Sequence, residues 1–489
     1  MNRVFKTKWS AAHQQYVVID EHHATKGKAS KSAVAIAVAA FMMAAGAQAA
    51  YMDPNPNISS ASVAEAQRAF ETAEYNADWG LKAMHASKAY ALGFTGKGVA
   101  VAVMDSGALL SHSELSGERF VAVEHSGKYS STGNHYQQGA NGVGDEFGNG
   151  DYVAGKDFKV DGNFMPHVND THGTHVTGTV GANKDGQGMH GVAFDANIFV
   201  GNSGATDNNN YGPFQDYNFY YEGWSALANK VRDKNGTLED GTTLRGGVIN
   251  NSFGTNIRYT AKGASLPVNN VRESEFEYFL FKKNPNPNGK DFVDAAWDAI
   301  QGKNVVQIFT TGNRDMKNPY YRPLYPYFNP DAEDQWIAVT GLKQLDTTDT
   351  NGNPKYDYWY GVNKAGDAKW WTVAAPGAKI YSSIVVDDHY VASDANHKLG
   401  DAGYATFGGT SMAAPHVAGA MAVLMQRYPD MTAPQVREVM FTTANHKNSD
   451  GSNFDSWSVG ENEVDPLFGW GVPDLDKGMY GPGQLRSEE

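Results

Sequence analysis

The chain has 489 residues, of which 41% are hydrophobic and 12% aromatic, enough for a substantial core. Its formal net charge is −14, and setting aside residues 1–49, with six basic and two acidic residues, leaves 34 basic and 52 acidic residues, or −18. So acidic a surface repels phosphate backbones and argues against a nucleic-acid partner. The absence of cysteine excludes disulfides, thiolate metal sites and cysteine nucleophiles.

The first 49 residues have the organisation of an export signal. The apolar run 33–45, of 13 residues, is too short to span a bilayer but is typical of a signal-peptide core, and Ala47-Gln48-Ala49 supplies a small-residue cleavage pattern. The basic segment before the run is longer than usual and resembles the extended signal peptide of Gram-negative type V secretion proteins, the autotransporters. This resemblance implies Sec export and delivery to the cell surface or the medium.

Residues 50–78 predict an N-terminal arm with a helix from about Ser60 to Asn76. Residues 79–93 follow a helical apolar rhythm with a glycine stop. The apolar run Val99–Met104 is typical of a strand buried on both faces, and it leads directly to Asp105. A carboxylate there would be rigid and partly desolvated, as a catalytic one has to be, although an aspartate at this position can also cap a turn.

Strand and helix candidates alternate through the rest of the chain, which predicts right-handed βαβ units. The strand candidates are Ile198–Val200, Gly247–Asn250, Val305–Thr310 and Ile337–Thr340, and the helical candidates are Gly173–Val180, Tyr221–Val231 and Asp291–Gln301. We therefore predict an α/β fold with a mainly parallel twisted sheet and helices on both faces. Asp105, Asn251–Gly254 and Gly312–Asn313 would converge beyond the carboxyl ends of its strands, where ligands bind. Residues 120–170 and 255–290 are expected as long surface-loop insertions.

Two histidines, His172 and His175, lie in the segment Asp-Thr-His-Gly-Thr-His-Val-Thr-Gly at 170–178. A serine nucleophile needs an imidazole to take its proton, and either histidine has the required chemistry. A histidine pair can also bind a metal, although this one lacks the glutamate and the spacing of H-E-x-x-H. The residues alone leave both interpretations open.

The segment Gly409–Gly419 reads Gly-Thr-Ser-Met-Ala-Ala-Pro-His-Val-Ala-Gly, and its apolar character continues to Met425. This pattern predicts a buried helix with Ser411 at the N-cap, where the peptide dipoles favour negative charge. The position suits a nucleophile, although a capped core helix needs no catalytic role. Five helical residues turn His416 by about 140° from Ser411, so we expect a packed, hydrogen-bonded histidine there.

The segments around Asp105, His172 and Ser411 resemble the aspartate, histidine and nucleophile segments of subtilisin-like serine proteases (subtilases, peptidase S8 family). They occur in the subtilisin order, which differs from the orders in chymotrypsin and the α/β-hydrolases. The resemblance implies that these three residues form a catalytic triad, with the first histidine of the segment as the base.

Two further segments resemble parts of the same family. Ile308–Asn313 resembles the segment whose asparagine donates to the oxyanion, the second donor being the Ser411 backbone N–H; an asparagine in a Gly-Asn turn is the alternative. Asn251–Gly254 resembles the strand that binds the substrate backbone and borders the P1 pocket. The residues expected to contact substrate are therefore Ser252, Phe253, Gly254 and Gly312.

The resemblance covers about residues 79–480, expected as the peptidase domain, with an arm at 50–78 and a tail at 481–489. The arm is short for the family's inhibitory prodomain, and the chain reaches Glu489 without the C-terminal β-barrel of an autotransporter. Whether the chain is a fragment of a longer protein, or the leader serves another purpose, stays open.

Subtilase chemistry needs no cofactor. A structural Ca²⁺ is conceivable at residues 141–151, which are rich in oxygen ligands but are not spaced as in an EF-hand, and a solvated loop is the alternative. The expected partners are protein or peptide substrates and the Sec machinery, with no transmembrane segment in the mature chain.

The sequence thus predicts a secreted serine endopeptidase that forms an acyl-enzyme. The alternatives are an inactive surface adhesin or scaffold that keeps the fold, and another serine hydrolase such as an esterase. The predicted P1 walls, Ser252–Gly254 and Thr310–Gly312, have no carboxylate to pair with a basic side chain. We therefore expect broad specificity with an apolar P1 preference and Arg314 at the rim of the pocket.

Overall fold

The computed structural model describes residues 5–10, 15–20, 60–132, 136–137, 152–166, 169–203, 210–211, 216–233, 246–253, 288–386 and 398–483. The strands, in chain order, are β1 (Phe5–Ser10), β2 (Gln15–Asp20), β3 (Ala100–Asp105), β4 (Phe120–Ala122), β5 (His125–Lys128), β6 (Tyr136–Gln137), β7 (Asp157–Val160), β8 (Asn197–Asn202), β9 (Asn210–Tyr211), β10 (Gly247–Asn251), β11 (Val305–Thr310), β12 (Trp336–Thr348), β13 (Pro354–Tyr358), β14 (Thr372–Pro376), β15 (Ile380–Val385) and β16 (Ala402–Phe407). The α-helices are α1 (Ser60–Phe70), α2 (Ala73–Ala77), α3 (Trp79–Ala83), α4 (Ala86–Ala91), α5 (His172–Gly181), α6 (Tyr217–Asp233), α7 (Phe292–Asp298), α8 (Tyr325–Phe328), α9 (Thr410–Arg427), α10 (Ala433–Thr443) and α11 (Leu475–Gly478). Short 3₁₀ turns occupy Ser113–Leu115, Pro330–Gln335 and Gly366–Trp371.

A sheet of eight strands organises the described part of the chain. The strand order is β13-β12-β11-β10-β3-β8-β4, with β14 also paired to β12, and the pairs are parallel except for the antiparallel β12–β13 pair. Every residue of β3, β10 and β11 is buried. Because successive side chains of a strand point to opposite faces, the sheet is covered on both faces. The predicted α/β fold, a mainly parallel sheet with flanking helices, is confirmed.

The strand order reverses beside β3. The chain runs from β3 to β4 and β8 on one side and then crosses to β10, β11 and β12 on the other. Met104 and Phe309 are both aligned with Asn251, so the carboxyl ends of β3, β10 and β11 lie at one edge of the sheet. In parallel sheets this kind of switch point is where ligands bind.

Helix α9 is buried along its length and crosses the sheet next to this edge. It contacts β10, β11, β12 and β14 and packs against α5. In this helix, all of which the structure describes, Ser411 is the one residue that is not buried. Each fully buried Val, Leu or Met contributes about 1.5–3 kcal/mol, so the packing fixes the position of the Ser411 backbone.

The two predicted N-terminal helices are each divided in two. The helix expected over Ser60–Asn76 is interrupted at Thr72, whose hydroxyl caps α2 by accepting from the amide of Tyr75 at 3.3 Å. The helical stretch expected over 79–93 is interrupted at His85, which has a left-handed backbone with φ of 55°. Local capping and turn conformation thus override the apolar rhythm in both places.

Some elements were not predicted from the sequence. They are the β12–β13 and β15–β16 antiparallel pairs, helix α10, and the strands β4, β5 and β7 inside one expected insertion. The proposed Ca²⁺ segment 141–151 and Gly254 lie outside the described residues. Within the described ranges, no helix is long and apolar enough to cross a membrane, and no group of three His, Asp or Glu could hold a metal ion.

Candidate active site

The carboxylate of Asp105 and the imidazole of His172 are joined by a hydrogen bond at the carboxyl end of β3. Asp105 Oδ1 accepts from His172 Nδ1 at 2.7 Å and from the amide of Ser106 at 2.8 Å. Asp105 is 2% exposed, whereas the side chain of His172 is 30% exposed. Since Nδ1 carries the proton that Asp105 accepts, a neutral His172 presents Nε2 as an acceptor, which is the state that a general base requires.

The turn after β3 and the start of α5 are locked together by Ser106. Its hydroxyl donates to the carbonyl of Asp170 and accepts from the amide of Gly173, each at 2.8 Å. A side chain on Gly173 would overlap the carbonyl oxygen of Gly107. Glycine therefore lets α5 begin against the strand end, and this contact is what puts His172 beside Asp105.

The pKa of His172 results from two opposing effects. Burial lowers it, but the nearby charge of Asp105 and its hydrogen bond, with a further contribution from Asp170, outweigh burial and raise the pKa from 6.5 to about 9. The imidazolium that forms when His172 takes a proton is therefore strongly stabilised, as Asp-His-Ser catalysis requires.

Ser411 is the second residue of α9 and not its N-cap, so that expectation was wrong. The N-cap is Gly409, and the acceptor for the first helical amide, Thr410 N, is the side-chain oxygen of Asn313 at 2.8 Å. Because a separate segment provides the cap, the Ser411 hydroxyl is not needed for it. It donates instead to the carbonyl of Ser252 at 2.8 Å, so transfer of its proton to His172 requires rotation away from Ser252.

Two N–H donors converge beside Gly409. The carboxamide oxygen of Asn313 is held by the amide of Thr410 at 2.8 Å and by its hydroxyl at 3.0 Å, which turns the amide nitrogen the other way. A Cβ built on Gly409 would lie 3.2 Å from Asn313 Nδ2 and 3.6 Å from Ser411 N. The two donors predicted from sequence therefore both lie on the same side of Gly409, where developing negative charge could be bound.

The predicted substrate-binding residues lie at the ends of β10 and β11. Ser252 is buried and its hydroxyl accepts from Asn250 Nδ2 at 2.9 Å, while Phe253 is half-buried. The guanidinium carbon of Arg322 is 4.6 Å from the centre of the Phe253 ring, a contact that no sequence signal indicated. At Gly312, a side chain would overlap the ring of Tyr320 and the side-chain nitrogen of Asn363, so the absence of a side chain accommodates these two neighbours.

The other two histidines singled out by sequence are structural. His175 is fully buried, its Nε2 is 3.1 Å from the carbonyl oxygen of Ile380, and its ring stacks on Phe407 at 4.5 Å. Burial, and to a lesser degree the charge of His172, lower the pKa of His175 to about 3. The two rings thus have separate partners, which argues against a metal pair.

His416 is a residue of α9 and lies buried in the core, away from Ser411, as its rotation along the helix predicts. It is fully buried, with Nδ1 2.8 Å from the carbonyl oxygen of Met412 and Nε2 2.9 Å from a carboxylate oxygen of Asp78. The predicted packed, hydrogen-bonded histidine is confirmed.

Four residues that hydrogen-bond the site residues or their flanking backbone were not predicted from sequence: Ser106, Asp170, Thr410 and Asn363. The first three lie inside the segments that resemble the subtilase motifs. Their polar side chains could have been predicted to hydrogen-bond the turn after β3, the backbone of His172 and the side chain of Asn313, respectively. Asn363 lies in no such segment, about fifty residues from the loop it binds, and no local pattern points to it.

Comparisons with known proteins identify the family of this chain. A family profile described as Subtilase family matches residues 96–471, and one described as Extended Signal Peptide of Type V secretion system matches residues 1–50. An extracellular serine protease of Serratia marcescens is 30% identical over 473 residues, covering 90% of this chain and 36% of the relative. The Neisserial autotransporter lipoprotein NalP of Neisseria meningitidis is 27% identical over 250 residues, covering 48% of this chain and 20% of the relative. The chain thus spans about a third or less of the length of these relatives.

Among solved structures, fervidolysin from Fervidobacterium pennivorans, a keratinolytic enzyme related to subtilisin, matches with a TM-score of 0.49 and 22% identity. The match covers 89% of this chain and 49% of that one.

Proposed function

The chain belongs to the subtilase family of serine proteases, and on that premise we propose that it is a secreted serine endopeptidase with Asp105, His172 and Ser411 as its catalytic triad. The observation that carries the proposal is the convergence of three features at one sheet edge. These are the Asp105–His172 pair, the half-buried Ser411 hydroxyl at the start of α9, and the two N–H groups beside Gly409.

The geometry supports an acyl-transfer mechanism. Ser411 Oγ attacks the peptide carbonyl carbon while His172 Nε2 takes its proton, and Asp105 stabilises the imidazolium. Negative charge on the carbonyl oxygen is stabilised by N–H groups of Asn313 and Ser411. The imidazolium then protonates the leaving amine as the C–N bond breaks, and water, deprotonated by the same histidine, hydrolyses the acyl-enzyme.

The substrate strand would lie along the ends of β10 and β11. We propose that Ser252, Phe253, Gly254 and Gly312 contact it, and that P1 side chains are apolar. Phe253 offers an aromatic surface, and the charge of Arg322 beside it opposes a basic P1 group. The expected partners are protein and peptide substrates.

The leader supports the location of this activity. Its extended type V secretion signal marks an exported protein of a Gram-negative bacterium, at the cell surface or outside the cell. We propose that it passes through the Sec machinery and that residues 79–480 form the peptidase domain. We also propose a structural Ca²⁺ at residues 141–151, which are rich in oxygen ligands. The chemistry of the triad itself needs no metal.

Labelling with a fluorophosphonate probe followed by casein digestion tests the proposal. The purified chain should be labelled and should digest casein, and Ser411→Ala should abolish both, with a loss of about 10⁶-fold in kcat, as for the same change in subtilisin. Labelling without casein cleavage would favour another serine hydrolase. Absence of both in a folded wild-type chain would favour an inactive scaffold.

A further inference from the structure

Asn363 binds the turn that carries Asn313 although it belongs to a different part of the chain. It follows β13 and is fully buried. Its side-chain oxygen accepts from the amides of Arg314 at 2.9 Å and Met316 at 3.2 Å, and its side-chain nitrogen donates to the carbonyl of Thr311 at 2.9 Å. One side chain thus bonds to backbone on both sides of Asn313.

The backbone of Asn363 makes three more hydrogen bonds, to the turn that carries Asn313 and to β12. Its amide donates to the carbonyl of Gly312 at 2.8 Å, and its carbonyl accepts from the hydroxyls of Thr311 at 3.0 Å and Thr340 at 2.7 Å. The turn is therefore tied to β12 through one residue.

The turn needs such support because one of its residues has an unfavourable backbone conformation. Gly312 has φ of 113°, which glycine adopts freely, but Asp315 has φ of 51° without being glycine. A left-handed conformation at a non-glycine residue persists where the surroundings impose it. Lys364, the neighbour of Asn363, contacts the Asp315 carboxylate at 3.0 Å and supports the same turn.

Asn313 is consequently held from two directions. Thr410 fixes its side-chain oxygen, and Asn363 fixes the backbone from which the side chain projects. An oxyanion donor must keep within a few tenths of an ångström of its position to be effective. We propose that Asn363 is a positioning residue for the oxyanion hole, acting on catalysis through Asn313; this inference rests on the proposed function.

The test is a double-mutant cycle between Asn363→Ala and Asn313→Ala, with rates expressed per titrated active site. Asn363→Ala alone should lower kcat by about 10- to 100-fold with KM within twofold, because the loss cannot exceed the 10²–10³-fold effect of removing the donor itself. In the Asn313→Ala background it should lower kcat by less than twofold, since the donor that it positions is gone. Equal effects in both backgrounds would overturn the inference.

Asn318→Ala is the matched control. Asn318 is also buried, and its carboxamide bonds Asp367 through both its oxygen and its nitrogen, at 2.7 and 3.1 Å. It should lower stability but leave kcat per active site unchanged. If Asn363 had a purely structural role, Asn363→Ala would likewise lower stability and leave kcat per active site unchanged. That result would contradict the inference.

Asn363→Asp covers the case in which the alanine variant does not fold. It keeps the volume and an acceptor for Arg314 and Met316, but it places a carboxylate oxygen against the carbonyl of Thr311. The same kcat loss and the same dependence on Asn313 are expected. An inactive wild-type chain would refute the proposed function, whereas an active wild type with fully active Asn363 variants would refute only this inference.

Discussion

The carboxamide oxygen of Asn313 lies 2.8 Å from the backbone nitrogen of Thr410, so the side chain assigned to the oxyanion hole also caps the helix that carries Ser411. This contact fixes the donor and the nucleophile relative to each other. It also lets two roles of one side chain be separated, because its oxygen caps and its nitrogen donates.

Two substitutions at Asn313 should therefore both lower kcat, but only one of them should lower the stability of the fold. Asn313→Ala should lower kcat by about 10²–10³-fold with little change in KM, and should cost about 0.5–2 kcal/mol in the free energy of unfolding through loss of the cap. Asn313→Asp should lower kcat at least as much, because a carboxylate repels the oxyanion, while it keeps the capping oxygen and the stability.

Denaturant unfolding and steady-state kinetics on a peptide amide measure both effects. A change confined to KM would move Asn313 from the oxyanion hole to substrate binding.

The pH dependence follows from the raised pKa of His172. The base must be neutral to accept the Ser411 proton, and Asp105 raises its pKa from 6.5 to about 9, so kcat/KM should rise with pH through a midpoint above 6.5 and level off in alkaline solution. Asp105→Asn removes the stabilising charge while burial remains. It should move the midpoint to lower pH and reduce kcat by about 10⁴-fold.

His175→Gln is the control for that profile. Since burial keeps the pKa of His175 near 3, this histidine is neutral throughout the range, and its replacement should leave the midpoint unchanged in a folded variant. A wild-type rate independent of pH between 5 and 9, measured under kcat/KM conditions, would contradict the assignment of His172 as base.

The parts predicted well from sequence are those in which one local pattern suffices. A continuous apolar run identified β3 as a buried strand, and the polar residues that follow β3, β10 and β11 were expected at one edge because parallel strands share their carboxyl ends. The rotation of His416 away from Ser411 follows from helix geometry alone.

The parts predicted poorly depend on partners distant in sequence. Ser411 was expected at the N-cap because a serine stands there, but Asn313, nearly a hundred residues earlier, supplies the capping oxygen. The role of Gly312 depends on Tyr320, and the conformation of the 311–316 turn depends on Asn363. Periodicity and motif spacing carry no information about such contacts.

The buried pair of Asp78 and His416 should contribute strongly to stability. Both side chains are at most 1% exposed, and the carboxylate also accepts from the amide of Gly80 at 2.9 Å. Asp78→Ala leaves His416 without its acceptor inside the core, so we expect a loss of about 3–5 kcal/mol in the free energy of unfolding. The N-terminal segment should then separate more readily from α9.

The exposed pair of Lys128 and Asp157 is the matched control. Their side chains are 64% and 80% exposed, and Asp157→Ala should change stability by less than about 1 kcal/mol because solvent screens the pair. Urea unfolding of both variants makes the comparison, and equal losses would show that the buried pair contributes no more than the exposed one.

Cleavage should occur after Leu, Met or aromatic residues. The described residues at the proposed P1 walls, Ser252–Phe253 and Thr310–Gly312, contain no carboxylate, and apolar burial against Phe253 is worth roughly 25 cal/mol per Å². Discrimination should be modest, because one methylene in such a pocket contributes about 1–3 kcal/mol. A peptide library with varied P1 measures the preference, and cleavage mainly after Lys or Arg would contradict it.

The positive charge of Arg314 should strengthen the preference for apolar over basic P1 residues by a measurable amount. Arg314 is half-buried beside Asn313, and two charges about 10 Å apart in water interact by about 0.4 kcal/mol. Arg314→Ala should therefore raise kcat/KM for a Lys P1 substrate about twofold relative to a Leu P1 substrate, and added salt should remove the difference because it screens exposed charges. An unchanged ratio at low salt would place Arg314 away from the P1 group and leave Phe253 and its neighbour Arg322 as the determinants.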